Sequence, residues 1–528
     1  LHWVQLSLFR CLNQSGPLAV TKLILGICLL APGACGEPQI SEPVVNSTLI
    51  VNAQIIDGSG EPAYSGALRF EGELITEIGN LQPLAGETVI NAGGLTLTPG
   101  FIDTHSHHDR GLETNKDAIP ILTQGITTSV FGQDGGHSFP IADFYTAYEQ
   151  YPAAVNVASY VGHNTIRDVV MGKRSQQSAS DNEVELMADL LAKELASGAL
   201  GFSSGLEYVP GKFSEGSEII RLAQTAADLG TRYASHVRSE DRFVFEAIEE
   251  LIQIGRVTNM PVHYSHIKLA AKQVWGEAGK AIKILEAARD EGIRVTADIY
   301  PYEYWQSTIG VLLPGRDPND LEEIDFVLES IAPADGIIFT YFAPNPSYVG
   351  LSIADIAVLR GTSEAQTLSD VIGESMEWTE VNGGLGSESI MGRSMQEDDI
   401  AQLIKWDFAN ICSDGGFAGH PRGYGAFPRV LAKYVRDQGT LPLEKAIAAM
   451  TNRAANAIGI PDRGLLAVGM KADLVLFNPN TVQDHATVKN TQQLSTGISA
   501  VWVNGELVLQ DGESTGARPG EALKRNGF

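Results

Sequence analysis

Short apolar runs recur along the chain, and each breaks off into polar residues: LTPGFIDTHSHHD, GITTSVFGQDGG, NVASYVGHN, GALGFSSGLEY, RYASHVRSE, MPVHYSHIK, RVTADIYPY and FANICSDGG. Runs of this length bounded by turn residues read as buried strands. Stretches of helical spacing separate many of them, at 183–197, 217–229, 242–254, 277–290 and 443–458. In the first of these, Val184, Met187, Leu190, Leu191 and Leu195 fall on one helix face. Strands alternating with helices imply parallel βα units, and eight such strands imply a closed (β/α)8 barrel. That barrel is predicted over residues 99–463.

Both flanks have a different period. Residues 48–98 and 464–528 alternate apolar and polar positions and carry Gly, Asn and Asp turns, including Val503-Asn504-Gly505. They are expected to combine into one small β-sandwich built from both ends of the mature chain. Inside the barrel the spacing is uneven. The seventh strand ends near Tyr300 and the eighth begins near Phe408. Roughly a hundred residues intervene, far above an ordinary connection. The segment around 310–395 is therefore read as an insertion over the barrel mouth, with a helical piece at 320–331.

The first residues change the picture of where the protein works. Residues 23–31 (LILGICLLA) are an apolar run after Lys22, too short to span a bilayer. The run fits the core of a signal peptide, with Gly33 and Ala34 before Cys35. Residues 1–35 are expected to be a signal peptide, of lipoprotein type if Cys35 takes the lipid, followed by a polar linker at 36–47. Export to a bacterial periplasm or the cell envelope follows, with membrane contact only through an anchor at Cys35. Of the four cysteines, Cys11, Cys28 and Cys35 lie in this leader. Cys412 alone is left for the folded body, so no disulfide is expected there. The formal charge is −27 with a pI near 4.8. A surface this acidic argues against nucleic acid as a partner, and an anionic substrate must be drawn in by a local cation.

Histidines and acids concentrate at the predicted C-terminal strand ends, where barrels of this kind place their sites. His105 and His107 are two apart on strand one and face the same way. His236 closes strand five, His266 strand six and Asp414 strand eight. A lone histidine is more often structural than a ligand. Four imidazoles and a carboxylate converging on one mouth suit Zn²⁺.

The ordered set of PGFIDTHSH, the histidines of strands five and six and the strand-eight Asp resembles the amidohydrolase superfamily. More narrowly, GLEYVPG, HVRSE, YSHIK, DIYPY, CSDGG and HPRGYGAFPRVL resemble the D-aminoacylases, the N-acyl-D-amino-acid deacylases. The resemblance extends from about residue 48 to the end. It implies a metal-dependent hydrolase acting on small-molecule N-acyl amino acids. In it His236 and His266 hold the more buried ion, and His105 and His107 a second position. Asp414 ligates metal and moves the proton. Arg422 reads the substrate α-carboxylate, helped by Lys268, Tyr208 and Tyr300. His163, near a predicted strand end, is expected to line the pocket or to hydrogen-bond. One motif departs from the family pattern. Where D-aminoacylases carry a bridging Cys after strand two, this chain has Gly132-Gln133-Asp134-Gly135. A carboxylate is expected to replace it, with Glu207 at the end of strand four placed ahead of Asp134. Oxygen ligation would admit Mn²⁺ or Co²⁺ beside Zn²⁺. Two other functions compete. A cyclic amidase of dihydroorotase or hydantoinase type would want a lysine on strand four, which GALGFSSGLEY lacks. A non-catalytic scaffold should have lost ligands that are all present here.

Overall fold

A computed structural model describes residues 47–313, 317–383 and 386–525. The expected signal peptide, its Cys35 and nearly all of the linker lie outside the described residues. Among the described residues no helix is long and apolar enough to cross a membrane.

Eight parallel strands form the barrel: one (Phe101–Asp103), two (Ile126–Phe131), three (Asn156–Ser159, continuing as Val161–Gly162), four (Phe202–Gly205), five (Tyr233–His236), six (Val262–Tyr264), seven (Val295–Ile299) and eight (Ala409–Ile411). A parallel bridge between Ser106 and Gly415 joins strand eight to strand one. Asp103 reinforces that seam, accepting hydrogen bonds from the Ser413 backbone N–H (2.8 Å) and hydroxyl (2.5 Å). Burial lifts the Asp103 carboxyl to about 7 in spite of those bonds. The strands are buried almost throughout, polar residues such as Asp103, Asn156, His263 and Asp298 included, because helices cover their outer side.

The helices follow the sequence spacing, at Asp181–Ala196, Gly216–Asp228, Val244–Thr258 and Ala278–Asp290. The first opens on a capping box, with Ser180 and Glu183 satisfying each other's backbone N–H groups. The stretch read as one helix at 443–458 is two, Leu443–Met450 and Asn452–Ile458. Thr451 breaks it with φ −130° and ψ −97°.

Strands from both chain ends join in one nine-stranded sheet rather than two separate ones. Leu474–Phe477 from the C-terminal end pairs antiparallel with Thr96–Pro99 from the N-terminal end. Ile50, Leu68, Phe70 and Ile75 share an apolar core with Leu474, Leu476 and Trp502, so the two ends stabilise each other. The insertion between strands seven and eight starts at Tyr304, a few residues earlier than the sequence suggests. Tyr304–Ser307 is already paired with Glu388–Arg393, which also pairs Ile337–Phe342.

Candidate metal centre

Three of the residues singled out from the sequence sit just past strand ends in left-handed backbone: Asp134 (φ 55°), His266 (φ 39°) and Asp414 (φ 49°). Residues other than glycine adopt this region at a cost, and it is tolerated where the surrounding structure holds it. The turn carrying Asp134 is held on both sides. A Cβ at Gly132 would lie 2.2 Å from the Tyr160 carbonyl, and one at Gly135 would lie 2.6 Å from the Asn164 amide oxygen. Glycine alone fits that close approach, and it fixes where Asp134 points.

Asp134 lies between the two imidazole pairs. Its Oδ2 is 3.4 Å from His105 Nε2 and 3.3 Å from His107 Nε2. Its Oδ1 is 3.1 Å from His266 Nε2 and 3.9 Å from His236 Nδ1. Asp414 completes the first group, with Oδ1 3.6 Å from His105 Nε2 and 3.2 Å from His107 Nε2. His236 Nδ1 and His266 Nε2 face each other at 3.0 Å. Two ring nitrogens this close need a proton or a cation between them. Glu207 is not in this arrangement. Its Oε2 lies 3.0 Å from His236 Nε2, on the nitrogen opposite to the one facing Asp134. The expectation that Glu207 leads as the bridging carboxylate is therefore corrected: strand four delivers it to the outer edge of one imidazole, and the pinned turn delivers Asp134 to all four.

The donor set fits a zinc-like ion. His105, His107, Asp134 and Asp414 converge as one group, and Asp134, His236 and His266 as another that shares Asp134. Both ring nitrogens of His105 are buried without a hydrogen-bond partner among the described residues, which an imidazole tolerates when a cation takes one of them. The electrostatics agree. Burial opposes charge on Asp134, yet His105 and His266 hold its carboxyl well below the usual range. Burial would lower the His107 imidazole, but the hydrogen bonds it donates to the Asp134 and Asp414 carboxylates carry it to about 9. Burial and the Lys268 ammonium likewise depress His266, and the Glu240, Asp134 and Asp414 carboxylates outweigh them and lift it to about 10. Protons thus collect on imidazoles where a cation would displace them.

Arg422 is buried beside Asp414, its Nη1 2.7 Å from Oδ2, with its guanidinium carbon 4.5 Å from the Tyr300 ring centroid. Burial opposes charge on Asp414, and Arg422, then His266 and His105, hold the carboxyl far down. The Arg422 Nε and the Tyr300 hydroxyl are buried without partners among the described residues. The Tyr208 ring lies 4.3 Å from that of His236. Lys268 reaches the site, but its ammonium rests on both oxygens of Glu240 at 2.7 and 2.8 Å. His163 is not brought in. Its Nε2 is 2.7 Å from Glu218, which also binds Arg167, so helix-borne partners turn it into the layer outside the barrel. His420 links two parts of the mouth, accepting from the Arg422 backbone N–H and meeting the Tyr304 carbonyl, each at 3.0 Å.

Two residues beyond the sequence reading support the histidines. Asp298 accepts from the His266 backbone N–H, from the Thr104 hydroxyl (2.9 Å) and from His263 (2.9 Å). Glu240 lies 3.0 Å from His266 Nδ1. The sequence carries both as acids at or just past strand ends, Asp298 in DIYPY and Glu240 in HVRSE.

A model of the Amidohydrolase family matches residues 352–509. A D-aminoacylase of Alcaligenes xylosoxydans xylosoxydans is 34% identical over 506 residues, covering 90% of this chain and 97% of that protein. An N-acyl-D-aspartate deacylase of the same organism is 33% identical over 509 residues, covering 91% and 95%. Among solved structures, the N-acyl-D-glutamate deacylase of Bordetella bronchiseptica, complexed with zinc and a phosphonate mimic of the tetrahedral intermediate, superposes with a TM-score of 0.80 at 31% identity, covering 90% of this chain and 99% of that one.

Proposed function

The chain belongs to the D-aminoacylase family of amidohydrolases, and on that footing we propose that it is a metal-dependent hydrolase cleaving the amide bond of N-acyl-D-amino acids to a carboxylate and a free D-amino acid. The observation that carries this reading is one carboxylate, Asp134, standing between two imidazole pairs beside an Asp414–Arg422 ion pair. His105, His107, Asp134 and Asp414 would hold one ion, and Asp134, His236 and His266 another. A bound Zn²⁺ supplies a water of lowered pKa and polarises the amide carbonyl. Asp414 accepts the proton of the attacking water and returns it to the leaving nitrogen, which a carboxylate does well when held close and charged. Arg422 offers its planar fork to the α-carboxylate, and the unpartnered Tyr300 hydroxyl is a second donor. With Asp134 in place of a thiolate the donor set is harder, so Mn²⁺ and Co²⁺ join Zn²⁺ as ions it accepts.

The test is metal analysis of the purified protein with a panel of N-acyl-D- and N-acyl-L-amino acids beside hydantoin and dihydroorotate. We expect bound metal and turnover of the N-acyl-D compounds, lost to a chelator and restored by zinc. Turnover of the cyclic amides alone would replace this reading with a cyclic amidase. We propose further that the chain is exported and that its mature form begins at or near Cys35, soluble in the periplasm or anchored there by lipid. The support is the apolar run 23–31 followed by Gly33, Ala34 and Cys35.

A further inference from the structure

Three buried groups meet behind the His266 imidazole, on the side away from Asp134. Lys268 Nζ is 2.7 Å from His266 Nδ1, and Glu240 Oε1 is 3.0 Å from the same nitrogen. The ammonium also sits on both Glu240 oxygens. His266, Lys268 and Glu240 are 2%, 5% and 6% exposed, so water does not arbitrate among them. A neutral imidazole has one N–H and one lone pair. If Nδ1 accepts from the ammonium, the ring proton sits on Nε2 and closes the nitrogen that lies 3.1 Å from Asp134. If Nδ1 carries the proton and donates it to Glu240, Nε2 is left free. The lysine and the glutamate therefore favour opposite tautomers of the same ring.

We propose that Glu240 is a positioning residue of the metal centre: it accepts a hydrogen bond from the Nδ1–H of His266 and retains the Lys268 ammonium on its own carboxylate, so that His266 presents a free Nε2 to the ion. The proposal rests on the reading of His266 as a metal ligand. The carboxylate is well placed for both tasks. Glu240 follows His236 by four residues, and its backbone carbonyl accepts the Ala270 N–H at 2.7 Å, tying the loop after strand five to the loop after strand six. Glu207 does a simpler version of the same work on His236 Nε2, where Glu240 Oε2 lies farther off at 3.7 Å and, among the described residues, no ammonium competes for that nitrogen. Loss of Glu240 should accordingly harm metal binding more than loss of Glu207.

The test is Zn²⁺ affinity of the full chain by competition with a chromogenic chelator, for wild type, E240Q, E240M and the double variant E240M/K268M. E240M removes the acceptor and releases Lys268 onto Nδ1, so affinity falls by about 10- to 100-fold. E240Q loses the charge and keeps an acceptor, and it falls clearly less. E240M/K268M removes the competing donor as well and recovers about fivefold or more over E240M, a non-additivity expected only of groups in direct contact. Equal losses in E240Q and E240M, or a double variant no better than E240M, would overturn the proposal. E240M leaves a buried ammonium unpaired. Should it fail to fold, K268M alone decides: it keeps or tightens zinc binding, and a loss of about tenfold or more overturns the proposal. Zinc binding by the unsubstituted chain tests the metal reading separately. If wild type binds no zinc, that reading and the proposal both fall; if it binds, the ranking of variants bears on Glu240 alone.

Discussion

Replacing Asp134 by Asn isolates its charge. Asparagine adopts left-handed backbone as readily as aspartate, so the turn at φ 55° is kept. The two side chains are nearly the same shape, and the flanking glycines hold the new amide in the same place. What is lost is one negative charge lying 3.1 to 3.9 Å from nitrogens of four imidazoles. At a separation of about 4 Å and an effective dielectric near 20, a pair of unit charges interacts by about 4 kcal/mol. The amide oxygen still offers a lone pair, so the expected loss is about 2–4 kcal/mol, or roughly 30- to 1,000-fold in affinity for the weaker-held ion. Glu207→Gln is the matched control. Glu207 meets one imidazole, at His236 Nε2, and glutamine still accepts from that N–H. Its effect should stay below about tenfold. Metal content after equilibration against graded chelator, read by mass spectrometry, measures both. If Glu207→Gln loses as much metal as Asp134→Asn, or if Asp134→Asn keeps wild-type stoichiometry across the series, the bridging assignment is wrong.

Asp414→Asn should fold, since asparagine suits φ 49°, yet turnover should drop by about 10²–10⁴-fold; a variant keeping a tenth of wild-type kcat contradicts the proton-transfer role. Arg422→Lys keeps the charge and loses the fork and the stacking on Tyr300, so kcat/KM should fall by about 10- to 150-fold, the equivalent of about 1.5–3 kcal/mol. Equal damage on a substrate whose α-carboxylate is an amide would mean that Arg422 does not read that group. In the metal-free chain His107 and His266 titrate at about 9 and about 10, above their unfolded value of 6.5. Their contribution to stability is therefore complete below pH 6.5 and is lost as pH rises through 9 to 10. Zinc added at neutral pH should release protons, visible with an indicator in weak buffer; zinc uptake without acidification would refute those protonation states. N-terminal analysis after expression in a bacterial host should place the mature start at or near Cys35, and an uncleaved leader would sink the export proposal.

Alternation, helical spacing and turn residues are local properties, set by neighbours a few positions apart, and they are written directly in the chain. That is why all eight barrel strands and the strand-end positions of His105, His107, His236, His266 and Asp414 could be read from residue order alone. The choice between Asp134 and Glu207 is of another kind. Both are acids at strand ends, and although Asp134 stands at the place of the family's cysteine, local residue order does not say where either side chain is aimed. Barrel closure packs Gly132 against Tyr160 and Gly135 against Asn164, and only that packing aims Asp134 between the imidazole pairs. His163 carries the same lesson, since its partner Glu218 lies 55 residues away on a helix. Lys268 and Glu240 meet across two loops. The sequence determined which side chains would stand at the mouth of the barrel. Tertiary structure decided which of them touch, because contacts of about 3 Å depend on how strands far apart in the chain are brought side by side.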